Sequence, residues 1–207
     1  MIYLVNNTID GNGDSPREIH ETLARTFPQH EVVVELYRDV SLCRVNELQP
    51  THIILSGQSH PWTDYKTGSL DGVHDVIRNA AQPILGICGG HQQVALVYGS
   101  RVDVMKRVTP GTVGYEGCLK ERGFYPVTHD GSTLFAGLPP EITVWHSHYD
   151  EVKDLPVEFT STAASENCAI QAMQHKTRPL FTVQFHPELF AAEQPQGRVI
   201  LENFLNL

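Results

Sequence analysis

Residues 83–98, PILGICGGHQQVALVY, join a short apolar run to a longer amphipathic stretch through a glycine-rich turn. The run is typical of a buried strand, and the stretch after it predicts a helix. Cys88 lies in the turn between Gly86 and Gly90, in the spacing G-x-nucleophile-x-G. Because a strained turn leaves no room for larger side chains, the glycines are informative. The segment predicts a strand, a sharp turn and a helix, with the Cys88 sulfur at the carboxyl end of the strand.

The rest of the chain contains a candidate base for this sulfur. A helix beginning just after Cys88 would lower the pKa of the thiol and favour the nucleophilic thiolate, which needs a base or an imidazolium beside it. His186 follows a second strand-like run at 180–185, and Glu188 comes two residues later. Strand ends that are distant in sequence can be neighbours in a parallel sheet. We therefore predict a Cys88, His186 and Glu188 arrangement, with Glu188 accepting the second imidazole N–H.

The order of elements predicts an α/β fold with a mostly parallel central sheet flanked by helices. Strands are expected at 2–5, 31–37 and 52–55, and helices at 15–27 and 70–80, with Ser15 capping the first helix and Pro16 at its first position. Short β-like pieces between 101 and 165 indicate a small antiparallel section, and 197–205 predicts a closing helix. Such alternation places reactive groups at the carboxyl ends of the strands. We expect residues 1–207 to form one domain.

Composition narrows the function classes. The formal net charge of −9 argues against a nucleic-acid surface, since phosphate binding needs clustered Lys and Arg. No apolar window of about 18 residues is present, so we expect no membrane span. The amino terminus, MIYLV, has no basic region before it, which favours a cytoplasmic protein over a secreted one. The three cysteines other than Cys88 are expected to be free thiols.

The motifs GICGGHQ at 86–92 and QFHPE at 184–188 resemble the two signatures of class I glutamine amidotransferases of the triad type. The segments HIILSG at 52–57 and WHSHYDEV at 145–152 fall in the order of that family. Within it, the S-H-x-D-x-V pattern at 147–152 is most similar to the glutaminase domain or subunit of GMP synthases. The resemblance implies a flavodoxin-like fold, and it implies that Cys88 attacks the side-chain amide of glutamine to give a glutamyl thioester and ammonia. His186 would be the general acid and base, and Glu188 its orienting carboxylate.

The resemblance also implies a set of supporting residues. Backbone N–H groups of Gly57 and Gly89 would form the oxyanion hole. Gln92 would contact the substrate, and Ser147 and His148 would hold its amino-acid end. Two positions depart from the family pattern: the family commonly has a larger residue than Gly89, and the loop at 56–61, SGQSHP, lacks the usual Gly-Gly-Pro or Gly-Pro-Gly arrangement.

Three other interpretations stay open at this stage. His146, His148 and Asp150 could bind zinc as a metal-dependent hydrolase, although Glu151 follows where another histidine would be expected. The same thiol chemistry would serve a stand-alone γ-glutamyl amide or peptide hydrolase. A non-enzymatic binding module is the third interpretation.

A separate partner is expected for the ammonia. The chain has no G-x-x-x-x-G-K-[ST] nucleotide site and no second domain to activate an ammonia acceptor. We therefore expect a glutaminase that needs no cofactor, takes glutamine or a γ-glutamyl amide, and docks on a separate synthetase subunit. Its acidic surface would aid association with a basic partner.

Overall fold

Eleven strands and five α-helices make up the regular structure, and a computed structural model describes all 207 residues. The strands are β1 (Ile2–Asn6), β2 (Val32–Leu36), β3 (His52–Leu55), β4 (Ile84–Ile87), β5 (Val102–Val104), β6 (Glu121–His129), β7 (Glu141–His148), β8 (Asp150–Val152), β9 (Phe159–Ala164), β10 (Ala172–His175) and β11 (Leu180–Val183). The helices are α1 (Asp14–Thr26), α2 (Leu42–Leu48), α3 (Asp71–Asn79), α4 (Gly89–Val97) and α5 (Gln196–Leu205). None of these helices has the length and apolar character needed to cross a membrane.

Nine strands form one sheet in the order β2-β1-β3-β4-β11-β10-β9-β6-β7. The first five pair in parallel, so β3, β4 and β11 end side by side at one edge. This topology brings together the loops that follow Leu55, Ile87 and Val183. The predicted mostly parallel sheet flanked by helices is confirmed.

The other four strands continue the same sheet in antiparallel fashion. β5 and β8 form a separate two-stranded sheet. The predicted antiparallel section is therefore confirmed, and it is an extension of the central sheet plus one small ribbon. β10 lies beyond the region in which antiparallel pieces were expected.

Apolar side chains fill both faces of the sheet. On one face, Ile19 and Leu23 of α1 and Phe204 of α5 pack against the strands in a cluster of 23 buried residues. On the other face, α2, α3 and α4 contribute to a cluster of 21 buried residues, Val76 and Val94 among them. Helices on both faces explain why the parallel strands are apolar on both sides.

Two local predictions need correction. Ser15 does not cap α1: the helix begins at Asp14 with Gly13 as its N-cap, and Ser15 lies inside the first turn. Its hydroxyl serves a residue from another part of the chain, described below. The short helix α2 was not predicted, because only Val45 of its seven residues is buried and the apolar pattern is correspondingly weak.

Candidate active site

Cys88 occupies the turn between β4 and α4 in a backbone conformation that side chains rarely adopt. Its φ is 51° and its ψ is −102°. Such strain persists only where the surroundings enforce it, and it is common at functional sites. The turn is also tightly packed, since a Cβ added to Gly90 would lie 2.4 Å from the carbonyl oxygen of Leu55. The predicted strand, sharp turn and helix are therefore present, with α4 beginning directly after the cysteine.

His186 and Glu188 form a buried pair beside this turn. Nδ1 of His186 donates to Oε1 of Glu188 at 2.7 Å, and the backbone N–H of His186 donates to the carbonyl of Trp145 at 2.7 Å. Cys88 and His186 line the same cavity. Burial by itself would lower the pKa of His186, but the charges of Glu188 and Cys88 hold that pKa well above its ordinary value. The arrangement favours an imidazolium facing the sulfur.

Pairing of β4 with β11 explains how residues so distant in sequence meet. Ile87 lies opposite Val183 in this parallel pair, and the N–H of Cys88 donates to the Val183 carbonyl at 2.8 Å. The amide of Gln184 lies at the same edge, and its Nε2 donates to the Cys88 sulfur at 3.6 Å. Gln184 was not singled out by the sequence reasoning, although it is the first residue of the QFHPE motif.

The loop after β3 lies against the elbow from the other side. The N–H of Gly57, expected to face the oxyanion, instead donates to Oγ of Ser15 at 3.0 Å. The N–H of the next residue, Gln58, has no hydrogen-bond partner. Gly89 is the first residue of α4, so its N–H has no acceptor within the helix. The N–H groups of Gln58 and Gly89, two residues in close contact beside the elbow, are therefore both without an acceptor.

A cavity beside Cys88 contains most of the other predicted residues. Gln92, Ser147 and His148 all line it, together with Asp150, which was predicted as a metal ligand, and with residues to which no catalytic role was assigned: Gln58, Ser59, His60, Tyr115, Lys120 and Tyr149. Gln92 is nearly buried, and its amide is held by Trp62, whose Nε1 donates to Oε1 at 3.2 Å, and by Gln184, whose Oε1 accepts from Nε2 at 3.2 Å. The structure brings the predicted substrate residues to one cavity.

A positive and a negative side chain, Lys120 and Asp150, both line this cavity. Asp150 accepts a hydrogen bond from the Tyr115 hydroxyl at 2.6 Å, and Tyr115 stacks on Tyr149 with ring centroids 4.8 Å apart. Nζ of Lys120 lies 4.6 Å from the centroid of the Tyr149 ring. Burial raises the pKa of Asp150, and the hydrogen bond from Tyr115 opposes that shift. A cation and a carboxylate are thus available to the two charged groups of an amino acid.

The alternative metal site is not assembled as predicted. The carboxylate of Asp150 bonds to Tyr115, and only its backbone carbonyl contacts His148. β7 ends at His148 and Asp150 begins β8 of the small sheet, so the chain turns away between them. Glu121 takes the place expected for Asp150, with Oε2 at 3.0 Å from both His146 Nδ1 and His148 Nε2. Glu121, His146 and His148 are all buried, and Asp150 is not among them, so the predicted set of His146, His148 and Asp150 is not formed.

Comparison with known proteins agrees with this geometry. The family model described as glutamine amidotransferase class-I matches residues 13–207. The chain belongs to the class-I glutamine amidotransferase family. A relative from Thermococcus kodakarensis, named as a glutamine-hydrolyzing GMP synthase subunit, is 36% identical over 199 residues, which is 96% of each chain. Another relative of the same name, from Thermoplasma acidophilum, is 38% identical over 155 residues, 75% of this chain and 70% of that one.

Solved structures of glutamine amidotransferases share the fold of this chain. A structure described as a GMP synthase subunit from Thermoplasma acidophilum superposes with a TM-score of 0.79 at 32% identity, covering 99% of this chain and 92% of the other. A glutamine amidotransferase from Thermotoga maritima shares the fold, with a TM-score of 0.69 at 20% identity over 99% and 82% of the two chains. The resemblance drawn from the four sequence motifs is confirmed.

Proposed function

We propose that this chain is the glutaminase subunit of a two-subunit GMP synthase. It hydrolyses the side-chain amide of glutamine and supplies the ammonia to a separate synthetase subunit. One observation carries the chemistry: a strained cysteine at the start of a helix adjoins a buried histidine that donates to Glu188 at 2.7 Å. The names of the relatives support the choice of synthetase.

The triad performs two linked transfers. The Cys88 thiolate attacks the amide carbon of glutamine, and the imidazolium of His186 gives its proton to the leaving nitrogen as the C–N bond breaks. Ammonia departs and a glutamyl thioester remains. His186 then takes a proton from water, the resulting hydroxide attacks the thioester carbon, and the C–S bond breaks to release glutamate. Glu188 keeps the imidazole in one orientation and stabilises its cationic form.

Negative charge develops on the carbonyl oxygen of the amide in the first step and on the carbonyl oxygen of the thioester in the second. We assign its stabilisation to the N–H groups of Gln58 and Gly89, because Gly57 already donates to Ser15. Backbone donors fixed before the reaction stabilise this charge without reorganisation. Ser15 and Gly57 have a positioning role, since their hydrogen bond fixes the loop that carries Gln58.

The amino-acid end of glutamine is assigned to the charged wall of the cavity. Lys120 would pair with the α-carboxylate and Asp150 with the α-ammonium group. Ser147 and His148 line the same wall, and Gln92 is held by Trp62 and Gln184 where it can contact the substrate side chain. A cytoplasmic location belongs to the same proposal and is supported by four free cysteines.

Glutamate release from glutamine tests this function directly. The native chain is compared with Cys88→Ala and with Cys43→Ala, which removes an exposed thiol as a matched control. We expect activity in the native chain and in Cys43→Ala, and a loss of about 10⁴-fold or more in Cys88→Ala. Equal rates in all three proteins would refute the assignment of the nucleophile.

Dependence on a partner is tested in the same assay. Addition of a GMP synthetase subunit with its nucleotide substrates should raise the rate of glutamate release and produce GMP at the expense of glutamine. A rate that is unchanged by the synthetase, together with faster cleavage of γ-glutamyl peptides than of glutamine, would instead identify a stand-alone hydrolase.

A further inference from the structure

Four polar side chains converge beside the cavity, and one of them, His148, also lines it. Glu121 on β6 lies opposite His148 on β7, and His146 is two residues earlier on the same face of β7. Gln171 comes from the segment just before β10. The relative exposures are 2% for Glu121, 0% for His146, 4% for His148 and 0% for Gln171. A buried polar group of this size needs a complete set of partners.

The polar atoms lie at nearly equal distances from one another. Oε2 of Glu121 is 3.0 Å from His146 Nδ1 and 3.0 Å from His148 Nε2, and these two nitrogens are 3.3 Å apart. The terminal amide atom of Gln171 lies 3.3 Å from Oε2 of Glu121 and 3.5 Å from Nδ1 of His146. Four ligands at about 2.0–2.1 Å around a tetrahedral ion stand about 3.3 Å apart. The five distances therefore match edges of a tetrahedron around one small cation.

The hydrogen bonds of His148 require a proton or a metal ion between Nε2 of His148 and the Glu121 carboxylate. Nδ1 of His148 is 2.9 Å from the carbonyl oxygen of Asp150, which can only accept, so Nδ1 carries a proton. In a neutral imidazole, Nε2 then directs a lone pair at the Glu121 carboxylate, which is also only an acceptor. Either a second proton or a metal ion must lie between these two atoms. A proton joins one pair of atoms, whereas a metal ion accounts for the convergence of all four groups.

The orientation of the Gln171 amide is compatible with ligation. Oxygen and nitrogen of a glutamine amide are assigned from hydrogen bonds and are exchanged by a half-turn of the group. With nitrogen at the centre, Oε1 is buried without a partner. After the half-turn, Oε1 lies near Oε2 of Glu121 and Nδ1 of His146 and accepts from the Ser165 hydroxyl 3.0 Å away, while Nε2 takes the buried position that has no partner.

We propose that Glu121, His146, His148 and Gln171 bind one Zn²⁺ ion. Imidazole nitrogen and carboxylate oxygen are common zinc ligands, and a set of four protein ligands is typical of a closed, structural site. Two outer contacts are of the kind found around metal ligands: His148 donates its second N–H to a backbone carbonyl, and Asn167 donates to the free carboxylate oxygen of Glu121 at 3.1 Å, whereas Nε2 of His146 has no partner. The ion would tie β6, β7 and the start of β10 together.

This site goes beyond glutamine hydrolysis and does not depend on it. Ser147 lies between the two histidine ligands and lines the cavity beside Cys88, so the ion would stiffen one wall of that cavity. The metal has no place in the cysteine chemistry. Metal content and coordination therefore test the site without reference to activity.

Zinc content should be measured in the Cys88→Ala background, because the thiolate and His186 are themselves potential zinc ligands. The protein is refolded with Zn²⁺ or with EDTA, dialysed, and analysed by plasma mass spectrometry. We expect one tightly held zinc per chain after refolding with zinc, and a higher midpoint of thermal unfolding than in the EDTA sample. Refolding with Co²⁺ should give the strong visible absorption bands of tetrahedral coordination.

Two variants locate the ion. His146→Leu removes a ligand, and Glu121→Gln keeps the volume and hydrogen-bonding capacity of the side chain while removing its charge. Each should weaken zinc affinity by about 100-fold or more, because loss of an outer-shell partner alone costs about 10–100-fold. His175→Gln is the matched control, since His175 is another buried histidine outside the cluster, and it should retain one zinc. Absence of zinc and cobalt binding in the parent protein, or zinc retained by a folded Glu121→Gln variant with parent affinity, would overturn the proposal.

Discussion

Gln58 lies so close to Gly89 that position 89 has no room for a side chain. A Cβ added to Gly89 would lie 2.7 Å from Cγ of Gln58 and 2.8 Å from its backbone nitrogen. These separations are well inside the distance at which nonbonded atoms pack. Both the side chain and the backbone of Gln58 therefore restrict position 89 to glycine.

This contact predicts a strong coupling between the two positions. Gly89→Ala should lower kcat about 10²-fold, because the displaced loop moves an oxyanion donor by a fraction of an ångström or more. Gln58→Gly by itself should have a small effect, since its N–H remains. The double variant should recover only part of the lost activity, because the alanine methyl group then meets no Gln58 side chain but still lies 2.8 Å from the backbone nitrogen of position 58. Steady-state kinetics of all four proteins gives the coupling free energy, expected at about 1–3 kcal/mol.

A simple additive outcome would contradict this explanation. If the double variant is as slow as the product of the two single effects predicts, the Gln58 side chain is not what restricts position 89. The contact with the Gln58 backbone nitrogen would then be the dominant restriction.

Ser15 offers a test of which N–H faces the oxyanion. Ser15→Ala removes the acceptor of the Gly57 N–H and loosens the loop that carries Gln58. We expect kcat to fall about tenfold with little change in KM, as befits a positioning residue. If Gly57 were the oxyanion donor, freeing its N–H would instead maintain or raise kcat. Asp10→Ala, at an exposed loop position before α1, is a control that should leave kcat unchanged.

Sequence reasoning located the triad because the residues that carry chemistry also carry the local structure. Gly86 and Gly90 mark the elbow at Cys88, and an apolar run leads to His186, so parallel pairing of β4 and β11 was enough to join them. The glycine pattern also identified the loop at Gly57, although not the hydrogen bond that occupies its N–H.

The remaining contacts depend on tertiary structure that the sequence does not encode locally. Ser15 reaches Gly57 across 42 positions, and nothing in its surroundings distinguishes it from a helix cap. Glu121 meets His148 through the register of an antiparallel pair, while Asp150, only two residues from His148, turns into another sheet. Proximity along the chain was therefore a poor guide to the partners of the two histidines.

The buried pair of Glu188 and His186 predicts a characteristic dependence of the free energy of unfolding on pH. The pKa of His186 is raised in the folded protein, against the effect of burial, by Glu188 and Cys88. A raised histidine pKa contributes stability that is fully present below the unfolded pKa of about 6.5 and is lost as pH rises through the folded pKa. Glu188→Gln should therefore destabilise the protein most near pH 6, and the difference from the native chain should shrink as pH rises above 6.5. Urea unfolding at a series of pH values measures it.

The same variant should also lose activity. A glutamine side chain still accepts the imidazole N–H but does not stabilise the cation, so kcat should fall by about 10–10³-fold. Glu193→Gln, an exposed position on the following loop, is the matched control and should show neither effect. A destabilisation of Glu188→Gln that is equal at all pH values would show that the ion pair with His186 does not govern it.

Asp150 predicts selectivity for the α-ammonium group of glutamine. Asp150→Asn should raise KM for glutamine about 10–100-fold with a smaller change in kcat, since a charge-assisted hydrogen bond contributes about 1.5–3 kcal/mol. The same substitution should leave KM unchanged for the analogue of glutamine that lacks the α-amino group, whereas Lys120→Met should raise KM for both compounds. Burial raises the pKa of Asp150, so KM for glutamine should increase as pH falls through that pKa in the native chain and not in Asp150→Asn. An equal rise in KM for the two compounds in Asp150→Asn would place the ammonium group elsewhere in the cavity.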